Sequence, residues 1–172
     1  MSKLATAKKI CREMLLLRNY KEEEETDDKI VFLRPDNKQV YVYFSTSNNG
    51  KLNIQGIKEY IEDAEISLIT NCIIIYTNSI TASAKKVISN LIHMNIELFD
   101  QQDLQFNITK HILARPHIKL DEVEKLKFIS DYGKDIPVLL KNDMMCRFYG
   151  FQKGDIIRVI RKDNYISYRI VK

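Results

Sequence analysis

The sequence predicts an α+β / α/β protein of two modules, residues 1–103 and residues 104–172, the second a small α+β unit ending in a β-hairpin. Three observations predict it. Apolar stripes of helical period alternate with short β-branched and aromatic runs through the first hundred residues. One of those runs, Cys72 to Tyr76, is apolar without interruption, the mark of a strand covered on both faces. Charge is also divided: residues 1–104 carry 13 Lys and Arg against 15 Asp and Glu, whereas residues 105–172 carry 14 against 8. A net of −2 beside a net of +6 suggests modules with different partners.

Leu4, Ala7, Ile10, Cys11, Met14, Leu15 and Leu17 recur at helical spacing and predict an amphipathic helix that ends near Asn19-Tyr20. The acidic run Glu22–Asp28 has nothing to pack and is expected to be a solvated linker. Ile30–Leu33 and Gln39–Phe44 are predicted strands about the turn Pro35-Asp36-Asn37, and Asn48-Asn49-Gly50 is expected to end the second. Ile54, Ile57, Ile61 and Ala64 predict the next helix. After the strand at 72–76, Asn78-Ser79-Ile80-Thr81 opens a helix with Ala84, Val87, Ile88, Leu91 and Ile92 on its buried side, and Asn95–Phe99 is strand again. Residues 72–99 are then a βαβ unit with parallel strands.

In the second module Gln105–Leu113 alternates like a strand. Asp121, with Glu124 three residues on and Gly133 beyond, brackets a helix over 122–132. Asp143 caps a short helix that closes at Gly150. A tight turn pivots on Gly154, and strands over about 156–162 and 165–171 turn through Asp163-Asn164.

Composition excludes several classes. With 45% hydrophobic and 29% charged residues the chain can build a core and is not disordered. No apolar run approaches the length that spans a bilayer, and the start lacks a signal-peptide core, so the protein is expected to stay where it is made or to enter the nucleus. Cys11, Cys72 and Cys146 are odd in number and far apart; neither zinc nor a disulfide framework is expected, and each fits as a small buried hydrophobe.

The order helix–strand–strand–helix–strand–helix–strand can be laid on a restriction-endonuclease-like core, with Pro35-Asp36 between the early strands. Such nucleases need a carboxylate there and an Asp/Glu-x-Lys on the next strand to hold a metal and position water. That strand reads Gln39-Val40-Tyr41-Val42-Tyr43-Phe44 and has neither, so Pro35-Asp36-Asn37 is better explained as a turn. His111 and His117 lack a third ligand at metal spacing, and His93 is expected to end a helix, where a cation suits the dipole. No catalytic residue and no metal or cofactor site is predicted. Thr81-Ala82-Ser83-Ala84-Lys85-Lys86 does open a helix whose free N–H groups, hydroxyls and lysines could face a phosphate backbone, although a plain capped helix start explains the same residues.

Together the modules resemble the common RNA polymerase subunit 5 family: the subunit shared by the three nuclear polymerases, whose archaeal counterpart has only the C-terminal module. The resemblance is carried by Asn107-Ile108-Thr109-Lys110-His111-Ile112-Leu113, His117, Ile136-Pro137, Asn142-Asp143, Arg147-Phe148-Tyr149-Gly150, Lys153-Gly154-Asp155, Ile160-Arg161 and Ile166-Ser167-Tyr168-Arg169. In the first module Thr81-Ala82-Ser83-Ala84-Lys85 lies where the family has Thr-Pro-Ser-Ala-Lys, and the helix ending Arg18-Asn19-Tyr20 fits as well.

The resemblance implies a noncatalytic subunit of DNA-directed RNA polymerase. Residues 1–103 would be a jaw domain of endonuclease-like helix-sheet-helix topology near downstream double-stranded DNA, with Thr81, Ser83, Lys85 and Lys86 nearest the DNA. Residues 104–172 would be an assembly domain anchored to the largest subunit through a set drawn from His111, His117, Arg147, Tyr149, Gly150, Lys153, Gly154, Asp155, Arg158, Arg161, Tyr168 and Arg169. No membrane and no small-molecule substrate is implied. The chain departs from the family in its compressed acidic run, in Ala82 for Pro, and in the short final turn. Its richness in Ile, Lys and Asn leans towards a large DNA virus, hence virion and host cytoplasm, with a cellular nucleus as the other location. A free-standing nucleic-acid-binding module and a degenerate nuclease are the alternatives.

Overall fold

The structure is a computed structural model that describes residues 2–45 and 51–172; the expected turn Asn48-Asn49-Gly50 lies outside the described residues. The chain forms two compact units, residues 1–106 and 107–172, with mixed α and β elements in both.

In the first unit α1 (Lys3–Leu17) is capped by Ser2, whose hydroxyl accepts from the Ala5 N–H. Three antiparallel strands follow, β1 (Lys21–Glu25), β2 (Lys29–Leu33) and β3 (Gln39–Phe44), with the Pro35-Asp36-Asn37 turn between the last two. The short β4 (Lys51–Leu52) leads into α2 (Ile54–Ile66), capped by Asn53. The continuously buried β5 (Asn71–Tyr76) pairs parallel with β3; β6 (Ser79–Ile80) pairs parallel with β4. Then α3 (Ala82–Asn90) crosses to β7 (Asn95–Asp100), which pairs parallel with β5, as the βαβ reading requires. The main sheet runs β1-β2-β3-β5-β7.

Alternation along β5 explains the layers. Cys72 and Ile74 join Tyr43 in a core with Ile57, Ile61 and Ala64 of α2 and Ala84 of α3. Ile73 and Ile75 point the other way and are equally buried. On that face Phe44 and Glu97, in register with Ile75 and Ile73, meet α1 and its cap: Lys8 sits over the Phe44 ring, and Arg18 grips Glu97 with two bonds of 2.8 and 2.9 Å. The sheet is thus sandwiched between α1 and the pair α2 and α3.

The second unit opens with a short 3-10 turn, Ile108–Lys110. Its sheet has the order β8-β10-β11-β9, from β8 (His117–Lys119), β9 (Val138–Leu139), β10 (Ile156–Ile160) and β11 (Ile166–Val171). The helix α4 (Glu122–Tyr132), closed by the expected Asp121/Glu124 capping box, lays Phe128 on Ile156, Leu120 and Tyr168. The opposite face carries Ile157, Val159 and Val171 against Leu139, Phe151 and Cys146 of α5 (Met144–Tyr149).

Several local expectations fail for physical reasons. The acidic run is not a linker: residues 21–25 form the exposed edge strand β1, held because Glu22 and Glu25 pair with Arg12 and Lys8 of α1 while every carboxylate stays in water. Gln105–Leu113 is not a strand. Asn107 is buried and its side-chain oxygen accepts from the Thr109 N–H and hydroxyl, at 3.0 and 2.6 Å, which turns the backbone away from a ladder. His93 lies beyond the end of α3 and does not end that helix; it meets the Glu65 side chain, in the last turn of α2, at 2.9 Å. Leu17 is 46% and Ile92 97% exposed, so the two apolar stripes are shorter than their spacing suggests.

Candidate functional site

The C-terminal stretch from Asp143 onward is positioned by caps and glycines. Asp143 Oδ1 accepts from the N–H groups of Met145 and Cys146 and starts α5; Gly150, at φ 71° and ψ 27°, ends it in the left-handed conformation. The chain reversal lets Tyr149 stack on Phe151 with ring centres 5.1 Å apart and planes within 2°. His117 lies 6.2 Å from the Tyr149 ring, and its Nδ1 is 2.7 Å from the Arg115 carbonyl. Burial pushes the Tyr149 hydroxyl pKa up, partly opposed by its bond to the His117 backbone.

Gly154, at φ 85°, makes the next turn, and the buried Asp155 locks it. Asp155 Oδ2 accepts from the Gln152 N–H at 2.7 Å, and Oδ1 is 2.9 Å from Lys119 Nζ. Gly154 and Val171 donate their N–H groups to Val171 and Asp155 carbonyls, joining the turn to the last strand.

Strand register then divides the predicted interface residues. Ser167, Val159 and His117 lie opposite one another across three strands and share a face, as do Ile157 and Arg169. Arg161 Nε donates to Ser167 Oγ at 3.1 Å, and Arg169 donates to the Val138 carbonyl at 3.2 Å. On this face a cleft of about 310 Å³ gathers His117, Arg161 and Arg169 with Arg115, Asp143 and an apolar floor. Arg158 and Tyr168, in register, turn to the other face: Arg158 meets Glu124 of α4 at 3.5 Å and Tyr168 packs on Phe128 at 4.4 Å.

Of the residues singled out, His117, Arg161 and Arg169 are therefore brought together. Asp155, Gly150, Gly154 and Tyr168 are committed to holding the unit's own fold. Lys153 is exposed at the turn; Arg147 is half-buried on α5, with one guanidinium nitrogen 3.4 Å from Met144 Sδ. His111 is exposed, its Nδ1 accepting from the Leu113 N–H. Arg115 was missed in the sequence: its cleft position depends on pairing between strands, although its place two residues before His117 was a signal.

In the first unit Thr81 caps α3, its hydroxyl accepting from the Ala84 N–H at 3.2 Å. Ala84 is fully buried against α2 and the sheet, and this anchors the helix with Ser83, Lys85 and Lys86 in solvent. Asp36 is engaged in its own turn: Arg34 Nε donates to it at 2.8 Å and holds its carboxyl far below the usual range. Among the described residues no three His, Cys, Asp or Glu side chains could share a metal ion, and no helix is long and apolar enough to cross a membrane.

Residues 106–171 match the family described as RNA polymerase Rpb5, C-terminal domain. Over nearly the whole chain it is similar to a subunit of DNA-directed RNA polymerases I, II and III of Dictyostelium discoideum, at 27% identity across 94% of this chain and 80% of the relative. A protein of Invertebrate iridescent virus 6, named as a DNA-directed RNA polymerase subunit, is 39% identical over 58% of this chain and 60% of its own length. DNA-directed RNA polymerase V subunit 5A of Arabidopsis thaliana is 32% identical over 76% of this chain and 60% of its own. A solved Type ISP restriction-modification enzyme bound to DNA aligns with a TM-score of 0.41 and 14% identity over 81% of this chain and 12% of that one, a likeness too slight to carry an argument.

Proposed function

We infer that this chain, a member of the RNA polymerase Rpb5 family, is a noncatalytic subunit of a multisubunit DNA-directed RNA polymerase. The observation that carries the reading is a coincidence of boundaries: the family match, 106–171, falls on a unit, 107–172, with its own core and a basic cleft. That unit is the assembly domain, and it anchors the chain to the largest subunit. Residues 1–106 are the jaw, which presents the start of α3, with Thr81, Ser83, Lys85 and Lys86, to downstream DNA. A mixed sheet between α1 and the α2/α3 pair suits an endonuclease-like jaw topology, and the engagement of Asp36 by Arg34 supports a jaw without nuclease chemistry. The iridescent virus relative and the Ile-, Lys- and Asn-rich sequence favour a virus-encoded polymerase acting in virion and host cytoplasm over a nuclear one.

The test is affinity purification of the tagged full chain at moderate salt from cells in which its polymerase is made. Stoichiometric recovery of the two large polymerase subunits is expected. Recovery of nucleic acid alone, with affinity falling steeply as salt rises, would replace this reading with a free-standing nucleic-acid binder.

A further inference from the structure

Resting on the polymerase-subunit reading, we propose that the cleft between the Arg115–His117 segment, the start of α5 and the end of the β10–β11 hairpin receives an acidic segment of the large subunit, one or two Asp or Glu side chains flanked by apolar residues.

Charge is the first argument. Arg12, Arg18 and Arg34 of the first unit each grip a carboxylate of their own chain, and Arg158 reaches Glu124. Arg115, Arg161 and Arg169 line one cleft, yet among the described residues none of the three has a carboxylate partner. Arg161 and Arg169 spend single N–H groups on a serine hydroxyl and a carbonyl, which leaves guanidinium donors over. Three guanidinium groups face one carboxylate in the lining, Asp143, whose Oδ1 is engaged by the start of α5. The cleft thus keeps an excess of positive charge that an incoming carboxylate offsets, and the planar guanidinium suits bidentate carboxylate recognition.

Shape and lining choose a peptide over a nucleic-acid strand. The floor is apolar, built by Leu139, Val159 and Met145, with Leu113 72% exposed at the rim. About 310 Å³ accommodates a few side chains rather than a backbone track. Asp143, in the same lining, interrupts the row of cations that a continuous run of phosphates would need. A phosphodiester groove would instead need a line of cations and stacking surfaces.

The experiment places a photocrosslinking benzoylphenylalanine at Leu113 in the tagged full chain and irradiates the assembled polymerase. The expected product joins residue 113 to a large-subunit peptide with Asp or Glu next to apolar residues. A crosslink to nucleic acid, to a neutral or basic peptide, or to nothing while the polymerase assembles normally, overturns the proposal and leaves the subunit reading standing. In parallel, Arg161→Ala with Arg169→Ala should lower recovery of the large subunits at least tenfold with an unchanged thermal melt of the isolated chain. Wild-type recovery by that variant overturns the proposal. Failure of the unmodified chain to recover the large subunits fails the subunit reading itself.

Discussion

Arg158 and Arg161 stand three residues apart and act on opposite faces of the C-terminal sheet, Arg158 towards Glu124 of α4 at 3.5 Å and Arg161 towards Ser167 Oγ at 3.1 Å. An odd spacing along extended backbone reverses the side chain. Two arginines that the resemblance put in one interface set therefore face different surfaces.

Their single substitutions should separate accordingly. Arg158→Ala removes a solvent-exposed ion pair and should cost about 0–1 kcal/mol of stability in urea unfolding, with polymerase assembly retained. Arg161→Glu should leave unfolding unchanged and impair co-purification with the large subunits. Equal impairment of assembly by the two would mean that docking is not confined to the cleft face.

Asp155 is the polar keystone of the second unit. It is buried, accepts from the Gln152 N–H and pairs with Lys119. Asp155→Ala strands the Gln152 amide while the exposed Lys119 returns to water, and about 1–3 kcal/mol of stability should disappear in denaturant titrations. A loss below ~0.5 kcal/mol would show that the 152–155 turn holds without it.

Gly154→Ala isolates a backbone effect. A Cβ there meets nothing within 4 Å, but φ is 85°, so the expected cost of about 1–2 kcal/mol is conformational and not steric. Gly154→Asn should recover part of it, because Asn tolerates the left-handed region. A shift of the urea midpoint checks both variants.

Lys85 and Lys86 sit in the first turns of α3, where the helix dipole disfavours cations. Replacing both with Glu should raise stability of the isolated chain slightly, by about 0.3–1 kcal/mol, measured by thermal unfolding. The same change should weaken crosslinking of the assembled polymerase to downstream DNA while assembly stays normal. Unchanged crosslinking and transcription would leave these residues as an ordinary solvated helix start.

Asp63 supplies a pH dependence. Burial pushes its carboxyl pKa up, but the bonds from Lys29 Nζ at 2.6 Å and the Tyr43 hydroxyl at 2.7 Å outweigh this and hold it below its usual value. A group depressed in the folded state stabilises fully above its unfolded pKa, about 4, and loses that contribution as pH falls through the folded value. Stability of the wild type should therefore decline below pH 5 more steeply than that of Asp63→Asn, read as unfolding midpoints between pH 7 and 2.

Much of the fold was legible in the sequence because the signals were local. Asp121 with Glu124, Thr81, Asp143 and Gly150 mark helix ends through bonds to backbone groups two or three residues away, and each lies at its expected cap. The uninterrupted apolar run Cys72 to Tyr76 announced a strand covered on both sides, and β5 is one, with 72–75 buried and Tyr76 partly so. The acidic run failed because its order comes from Lys8 and Arg12, many residues upstream. Asn107 misled through one side chain that outcompetes the alternating pattern around it.

The sequence by itself determined the element types, their caps and turns, the division of charge and the family signature, since all of these reside in short-range patterns. Only the tertiary structure decided that His117, Arg161 and Arg169 meet with Arg115 in one cleft while Arg158 turns away. That outcome depends on the β8-β10-β11 register, which places Val159 between His117 and Ser167. Register is set by which faces are buried against α4 and α5, and a slip of one residue would send every one of these side chains to the other side.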